Sequence, residues 1–261
     1  MREWLIDFFG RGDTPEFALF TPAHILPVLV MLGMIYLIHR RRDALRTWKH
    51  EETLRYILAF WLILSDMAYY WRLAGAPWLS PGPAEALPIG VCGWSAILCC
   101  FMLTGKKQGF FDIVYFWILS GSIFALITPT PLTFTGPSRF RYYQFWCDHC
   151  LSYVAVFYMI FVHGMRPTVK SAVKSYCALL CMALIAYAVN TMIPGANYLY
   201  LARPEAAPSI LDILPPNFAL RTAIIVAAIT LLFALAYLPW HLKDKKAAPI
   251  PDITAQEGEA A

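Results

Sequence analysis

Apolar runs of about the length needed to cross a bilayer recur seven times along the chain, at about 18–38, 54–73, 86–104, 110–128, 143–164, 173–193 and 218–240. One helical crossing takes roughly 20 such residues, so the runs leave little sequence outside the hydrocarbon. The composition agrees: 59% of the 261 residues are hydrophobic, 15% are charged, and the mean hydropathy is +0.54, far from the usual range of soluble domains. The expected fold is all-α, a polytopic membrane helix bundle with about seven transmembrane helices. The second run is the least hydrophobic because Asp66, Tyr69, Tyr70 and Arg72 interrupt it. Six crossings with one re-entrant segment are therefore the alternative.

Lysines and arginines set the orientation, because loops that carry them are retained on the cytoplasmic side. The first, third and fifth connections and the tail hold thirteen: Arg40, Arg41, Arg42, Arg46, Lys49, Lys106, Lys107, Arg166, Lys170, Lys174, Lys243, Lys245 and Lys246. The other side holds five: Arg2, Arg11, Arg139, Arg141 and Arg203. The N-terminus is expected outside and the C-terminus in the cytoplasm. The net charge of +4 follows from this bias and requires no nucleic-acid partner.

The organisation is an interfacial N-terminal segment at 1–17, a transmembrane domain at 18–242 and a disordered tail at 243–261. The first segment does not read as a secretory signal, because its apolar run is short, broken by Asp7, and lacks a small-residue cleavage site. Trp4, Leu5, Phe8 and Phe9 suit a short helix lying at the interface. The outer connections are the long ones, rich in proline and glycine, as sites of binding and catalysis often are. Tyr69, Tyr70, Trp71, Trp78, Tyr142, Tyr143, Trp146, Tyr198 and Tyr200 lie near the outer boundary and read as interface anchors.

All seven cysteines, Cys92, Cys99, Cys100, Cys147, Cys150, Cys177 and Cys181, fall inside apolar runs, so no disulfide framework is indicated. Most suit the role of small core hydrophobes. In FWCDHCL at 145–151, Cys147 and Cys150 with His149 have part of a zinc pattern. No second Cys or His cluster completes the four ligands of a structural site, so no metal or other cofactor is expected.

Ionisable and amide groups inside spans are costly and are candidates for function. His24, Asp66, Cys92, Asp148, His149 and Asn190 are the members of this set. Counted from the ends of their runs at about 1.5 Å per residue, His24, Cys92, His149, Asp66 and Asn190 share a depth of roughly 6–11 Å below the outer surface. One polar cavity opening outward follows. His149 is either a satisfied bundle histidine or a proton-moving group, since imidazole suits that task near neutral pH. Cys92 is either core packing or a nucleophile, which a histidine across the bundle activates by taking the thiol proton.

The stretches LFTPAHILPVLV, ALPIGVCGW, FALITPTPL, RYYQFWCDHCL and YAVNTMIPGANYLYLARPEAAPSILDIL occur in an order that resembles the YwaF-like bacterial integral membrane proteins. The resemblance covers most of residues 18–240. That family is similar to a eukaryotic transmembrane acyltransferase that remodels ether phospholipids, and more distantly to membrane hydrolases of fatty esters. It implies a catalytic cysteine at Cys92, a histidine at His149, and pocket-lining roles for Asn190, Asn197 and Tyr198. Many bacterial members carry a histidine two residues before the cysteine, where this chain has Gly90. His24 or His149 is then left to supply the base.

The reading is a lipid acyltransferase or transacylase of the bacterial inner membrane, with Cys92 and His149 catalytic, Asp66 or Asp148 orienting the imidazole, and membrane lipids as partners. A lipid ester hydrolase is the nearest variant. A non-enzymatic binder or transporter of lipids or small solutes is the alternative from another class.

Overall fold

The computed structural model describes residues 2–82, 87–129, 132–201, 213–215 and 217–246. Within them every long regular element is a helix and there is no strand. A short α1 (Arg2–Phe9) precedes seven longer helices: α2 (Pro22–Thr47), α3 (Glu51–Gly75), α4 (Val91–Gly105), α5 (Gln108–Ile127), α6 (Phe140–Phe161), α7 (Val169–Met192) and α8 (Phe218–Lys246). By length and composition, α2, α5, α7 and α8 qualify as membrane spans; α4 is apolar but shorter. The two others are long but carry ionisable groups along their length, Arg55, Asp66 and Arg72 in α3 and Arg141 and Asp148 in α6.

The helix ends differ from the apolar runs in ways the local residues explain. Helix α2 continues through the arginines to Thr47, since Arg, Ala and Leu are strong helix formers, and the connection between the first two apolar runs shrinks to a turn at Trp48–His50. Residues 88–90 are not helical: Pro88 disfavours helix at Leu87 before it, and Gly90 is the extended N-cap of α4. Cys92 is therefore the second residue of α4, His24 the third of α2, and His149 the tenth of α6. The depth count from run ends is corrected accordingly. What brings these helices' polar groups together is packing, not equal spacing.

Helix α6 is the centre of the bundle, in contact with α2, α3 and α4. Its Val154, Ala155 and Met159 meet Leu62 of α3 and Ala96, Met102 and Leu103 of α4 in one closed core. Ser65 and Gln144 add a reciprocal clasp, Ser65 Oγ donating to Gln144 O at 3.1 Å and Gln144 Nε2 to Ser65 O at 2.9 Å. Pro27 lacks an N–H, which leaves the Ala23 carbonyl four residues back without its helical donor. Tyr142 Oη donates to that carbonyl at 2.7 Å.

Helix α5 contains a π-helical stretch, Trp117–Gly121. One carbonyl there, Ile118 O, accepts from Tyr153 Oη at 2.8 Å, and Trp117 Nε1 donates to Ser175 O of α7 at 3.1 Å. Bonds between helices of this kind substitute for the hydrophobic drive that lipid does not supply.

Each end of the bundle is tied by a cation. At the end away from most basic residues, Arg72 Nε and Nη2 donate to Phe9 O and Gly10 O at 2.7 and 3.0 Å, and Arg139 bonds both Glu16 and Asp7 O. The Arg139 guanidinium holds the Glu16 carboxyl below its ordinary pKa. A side chain at Gly136 would meet Glu16 O at 2.6 Å, so only glycine admits this approach. At the basic end, fully buried Arg55 pairs with Glu51 at 2.9 Å and bonds the carbonyls of Leu103 and Thr104, while Glu51 also accepts from Tyr158 at 2.8 Å and meets His163 Nε2 at 2.8 Å. Removing one member of a buried ion pair costs about 3–5 kcal/mol, chiefly because the other charge is stranded. Arg55→Ala is expected to lower the thermal unfolding temperature of detergent-solubilised protein sharply. Arg42→Ala, at an exposed cation, is expected to leave it within error.

Candidate functional site

The helices enclose a cavity of about 1060 Å³ with contributions from α3, α4, the π stretch of α5, α6, α7, α8 and the turn at Tyr198–Tyr200. This is at the upper edge of the ~300–1,000 Å³ usual for small-molecule pockets. Asp66, Cys92, Asp148, His149, Asn197 and Tyr198 all line it. Residues from four separate stretches of the chain thus face one space.

His149 is 7% exposed. Its Nδ1 lies 2.8 Å from Phe145 O, and its ring stacks on Phe145 with centroids 4.2 Å apart. A carbonyl only accepts, so Nδ1 carries the proton and Nε2 keeps the lone pair. That is the tautomer a general base needs. Asp148 Oδ2 is 3.9 Å from Nδ1, beyond hydrogen-bond length, so the backbone carbonyl and not the carboxylate fixes the ring.

Cys92 is half-buried, with Sγ 3.7 Å from Ser122 Oγ just past the π stretch. Trp117, Ser120 and Gly121 of that stretch also face the cavity. A π turn rotates the following residues relative to an α-helix, and such turns are frequent at functional sites. Asp66 is buried against the backbone of α4: a side chain at Gly93, next to Cys92, would meet Asp66 Oδ1 at 2.9 Å. Asp148 is 5% exposed, and its Oδ1 has no hydrogen-bond partner among the described residues.

Arg141 is a cavity residue, although its place in the sequence suggests only an outer-loop cation. Its guanidinium lies 4.6 Å from the centroid of the Tyr69 ring and bonds Gln144 Oε1. The spacing carried the signal: Arg141, Gln144 and Asp148 follow i, i+3, i+7 and share one helical face. Tyr69, Tyr70 and Tyr198, read as interface anchors, line the cavity too, while Tyr142 and Trp146 are buried. Trp71, Trp78 and Tyr143 do stand exposed. An aromatic near a helix end is ambiguous in sequence because facing lipid and facing a pocket require the same residue.

Two candidates lie elsewhere. His24 does not line the cavity; Nδ1 accepts from Phe20 N at 3.1 Å and Nε2 donates to Leu126 O at 2.7 Å. With both nitrogens occupied it ties α2 to the end of α5 and has no lone pair for catalysis. Asn190 holds the turn at Tyr198 in place, Nδ2 donating to Tyr198 O at 2.9 Å and Oδ1 accepting from Tyr198 N at 2.7 Å. The turn it holds includes Leu199 at φ 56°, a left-handed conformation costly for leucine.

Among the described residues no group of three His, Cys, Asp or Glu side chains could hold a metal ion. Cys147 is exposed while its neighbours Asp148 and His149 are buried, and Cys150 lies 3.7 Å from Pro27 O.

The sequence model of the TMEM164 family matches residues 19–238. The chain belongs to the TMEM164 family. The match runs from α2 nearly to the end of α8 and so takes in every residue of the cavity named above. With its apolar helices, the chain is a TMEM164 family membrane protein. No curated protein and no solved structure matches the chain. If Asn190 fixes the wall of the cavity, Asn190→Ala frees the Tyr198 turn at a cost of about 1–3 kcal/mol from two backbone groups left unpaired. The expected outcome is faster amide hydrogen exchange at 197–201 with little change at Gly93–Leu103; equal protection in both proteins would show that the turn holds without Asn190.

Proposed function

We propose that the protein is a lipid acyltransferase or transacylase of the membrane, using Cys92 as nucleophile and His149 as base in a cavity between the helices. The observation that carries this reading is that Cys92 and His149 line the same largely apolar space, with His149 Nε2 free to take a proton. Two further points support it. His149 is the one histidine of six in the cavity lining, which favours it over His24 as the base that the proposal needs. The TMEM164 family match is compatible with the acyltransferase that the resemblance to YwaF-like proteins implied.

The chemistry balances without a cofactor. His149 Nε2 accepts the Cys92 proton as sulfur adds to the acyl carbonyl carbon. The tetrahedral intermediate collapses, the ester C–O bond breaks, and the leaving alkoxide takes the proton back from His149 as the thioester forms. An incoming lipid hydroxyl then loses its proton to Nε2, attacks the thioester, and the Cys92 thiolate leaves and is reprotonated. Water in place of that hydroxyl makes the same site a hydrolase. Asn197 and Tyr198 are the proposed donors toward the oxyanion or the lipid head, and Asp66, Asp148 and Arg141 the groups that shape the polar end.

The same reading has α2 to α8 crossing the membrane seven times, N-terminus outside and C-terminus cytoplasmic, in a bacterial inner membrane. The support for its orientation is the cluster of thirteen lysines and arginines at one end. A membrane-impermeant thiol reagent applied to intact cells is expected to modify a cysteine introduced at Ser138 and to spare one at Thr47. The reverse pattern would overturn the orientation.

For the chemistry, purified protein incubated with an alkyne-tagged acyl phospholipid is expected to acquire a hydroxylamine-sensitive label. Cys92→Ala abolishes it, and His149→Ala slows it by about 10²–10⁴-fold, the usual worth of a positioned base. Label of undiminished rate in Cys92→Ala would exclude the thioester. The two buried carboxylates and the unpartnered Asp148 Oδ1 would then favour the second reading, a non-enzymatic binder of lipids or small solutes.

A further inference from the structure

The cavity has two unlike ends. The polar one, at Asp66, Cys92, Arg141, Asp148 and His149, is described above. The other runs between α7 and α8, where Tyr176, Leu180, Ala183 and Tyr187 face Phe218, Ile225 and Ile229 with no charged side chain among them. From Tyr187 to Tyr176 is eleven residues of helix, about 16 Å.

Helices α7 and α8 touch each other thinly, since α8 packs mainly on the π stretch of α5. Leu180 and Leu184 of the slot remain exposed, Leu184 by 69%. The slot is therefore open along its length to whatever surrounds the bundle. Below Tyr176 it is closed: Tyr176 Oη bonds Thr230 Oγ1 at 3.1 Å across the two helices, its ring meets Phe233 at 5.7 Å, and Phe233 stacks on Phe116 at 4.9 Å.

We infer that the slot between α7 and α8 seats a single fatty acyl chain, with the Tyr176–Phe233–Phe116 stack as the floor that limits its length. The dimensions fit one leaflet, whose hydrocarbon is about 15 Å deep. A chain can enter sideways from the bilayer and keep its native direction, which removes the cost of drawing it through water. A small charged solute gains nothing from a face of this kind, because the slot offers it no charged partner. The inference rests on the proposed lipid reaction only for what happens at Cys92; seating of the chain is a separate property and is tested separately.

Full-length Cys92→Ala protein, which cannot turn over, is incubated in detergent with an equimolar mixture of lysophosphatidylcholines of graded acyl length, and the bound species are read by native mass spectrometry. Ala183→Trp, placed about 10 Å above the floor, is expected to shift the bound population to shorter chains. Tyr176→Ala is expected to shift it to longer ones, by about one helical turn or ~5 Å. If Ala183→Trp fails to fold, Tyr176→Ala decides alone. An unchanged length distribution in the folded variants, or a loss of binding with no change in the length retained, overturns the floor. A length shift together with acyl labelling that survives Cys92→Ala would leave the slot standing and remove the chemistry proposed for the site.

Discussion

A polar group held in hydrocarbon has no water to bond with, so it must find its partner inside the protein or leave an energetic debt. That constraint accounts for most of the interhelical geometry. Tyr142 reaches across to α2 because Pro27 strands a carbonyl there, and Tyr153 meets Ile118 O in the π stretch of α5. Gln144 and Ser65 answer each other's backbone. Of the buried side-chain atoms without partners among the described residues, Asp148 Oδ1 and Thr222 Oγ1 belong to residues that line the cavity, while Trp146 Nε1 belongs to one that does not. The first two are where a ligand in the cavity would complete the set.

The same constraint explains why the site sits on α6 and the π stretch. Helix α6 is buried on most sides, so a carboxylate and an imidazole on it are shut off from what surrounds the bundle. His149 uses its own helix, bonding Phe145 O four residues back, and its ring is fixed without help from another element. The π turn then moves Ser122 opposite Cys92. A regular α-helix through Trp117–Gly121 would present a different face there, so the sulfur's surroundings depend on one irregular stretch.

How far the sequence could be read follows from the same physics. Hydropathy reports where a helix lies in lipid, and the seven apolar runs correspond to seven long helices within a few residues at most ends. It does not report which way a side chain faces. Arg141, read as a loop cation, turns into the cavity because α6 begins at Phe140, a turn earlier than its apolar stretch. His24 and His149 look alike in sequence, each an imidazole near the head of a helix. They differ only in what the fold places around them: His24 meets a backbone donor and a backbone acceptor, whereas one nitrogen of His149 is left open. Asn190 and Tyr198, which the resemblance grouped together as pocket residues, do belong together, but only Tyr198 lines the main cavity and Asn190 holds it there.

The segregation of the cavity bears on mechanism. An acyl group can be transferred to an alcohol in preference to water only if water is scarce where the thioester forms. The apolar slot, Trp94, Trp117 and the aromatic rings around Arg141 reduce the polar surface next to Cys92 to a few side chains. Of those, Arg141, Gln144 and Ser120 are held by hydrogen bonds within the protein, whereas Asp148 Oδ1 has none among the described residues. A lipid hydroxyl bonded to His149 would displace the water that competes with it. Filling of the slot by an acyl chain would further dry the sulfur's surroundings. Under the proposed reaction, the choice between transferase and hydrolase would lie less in Cys92 and His149 than in how completely a seated lipid closes the space above them.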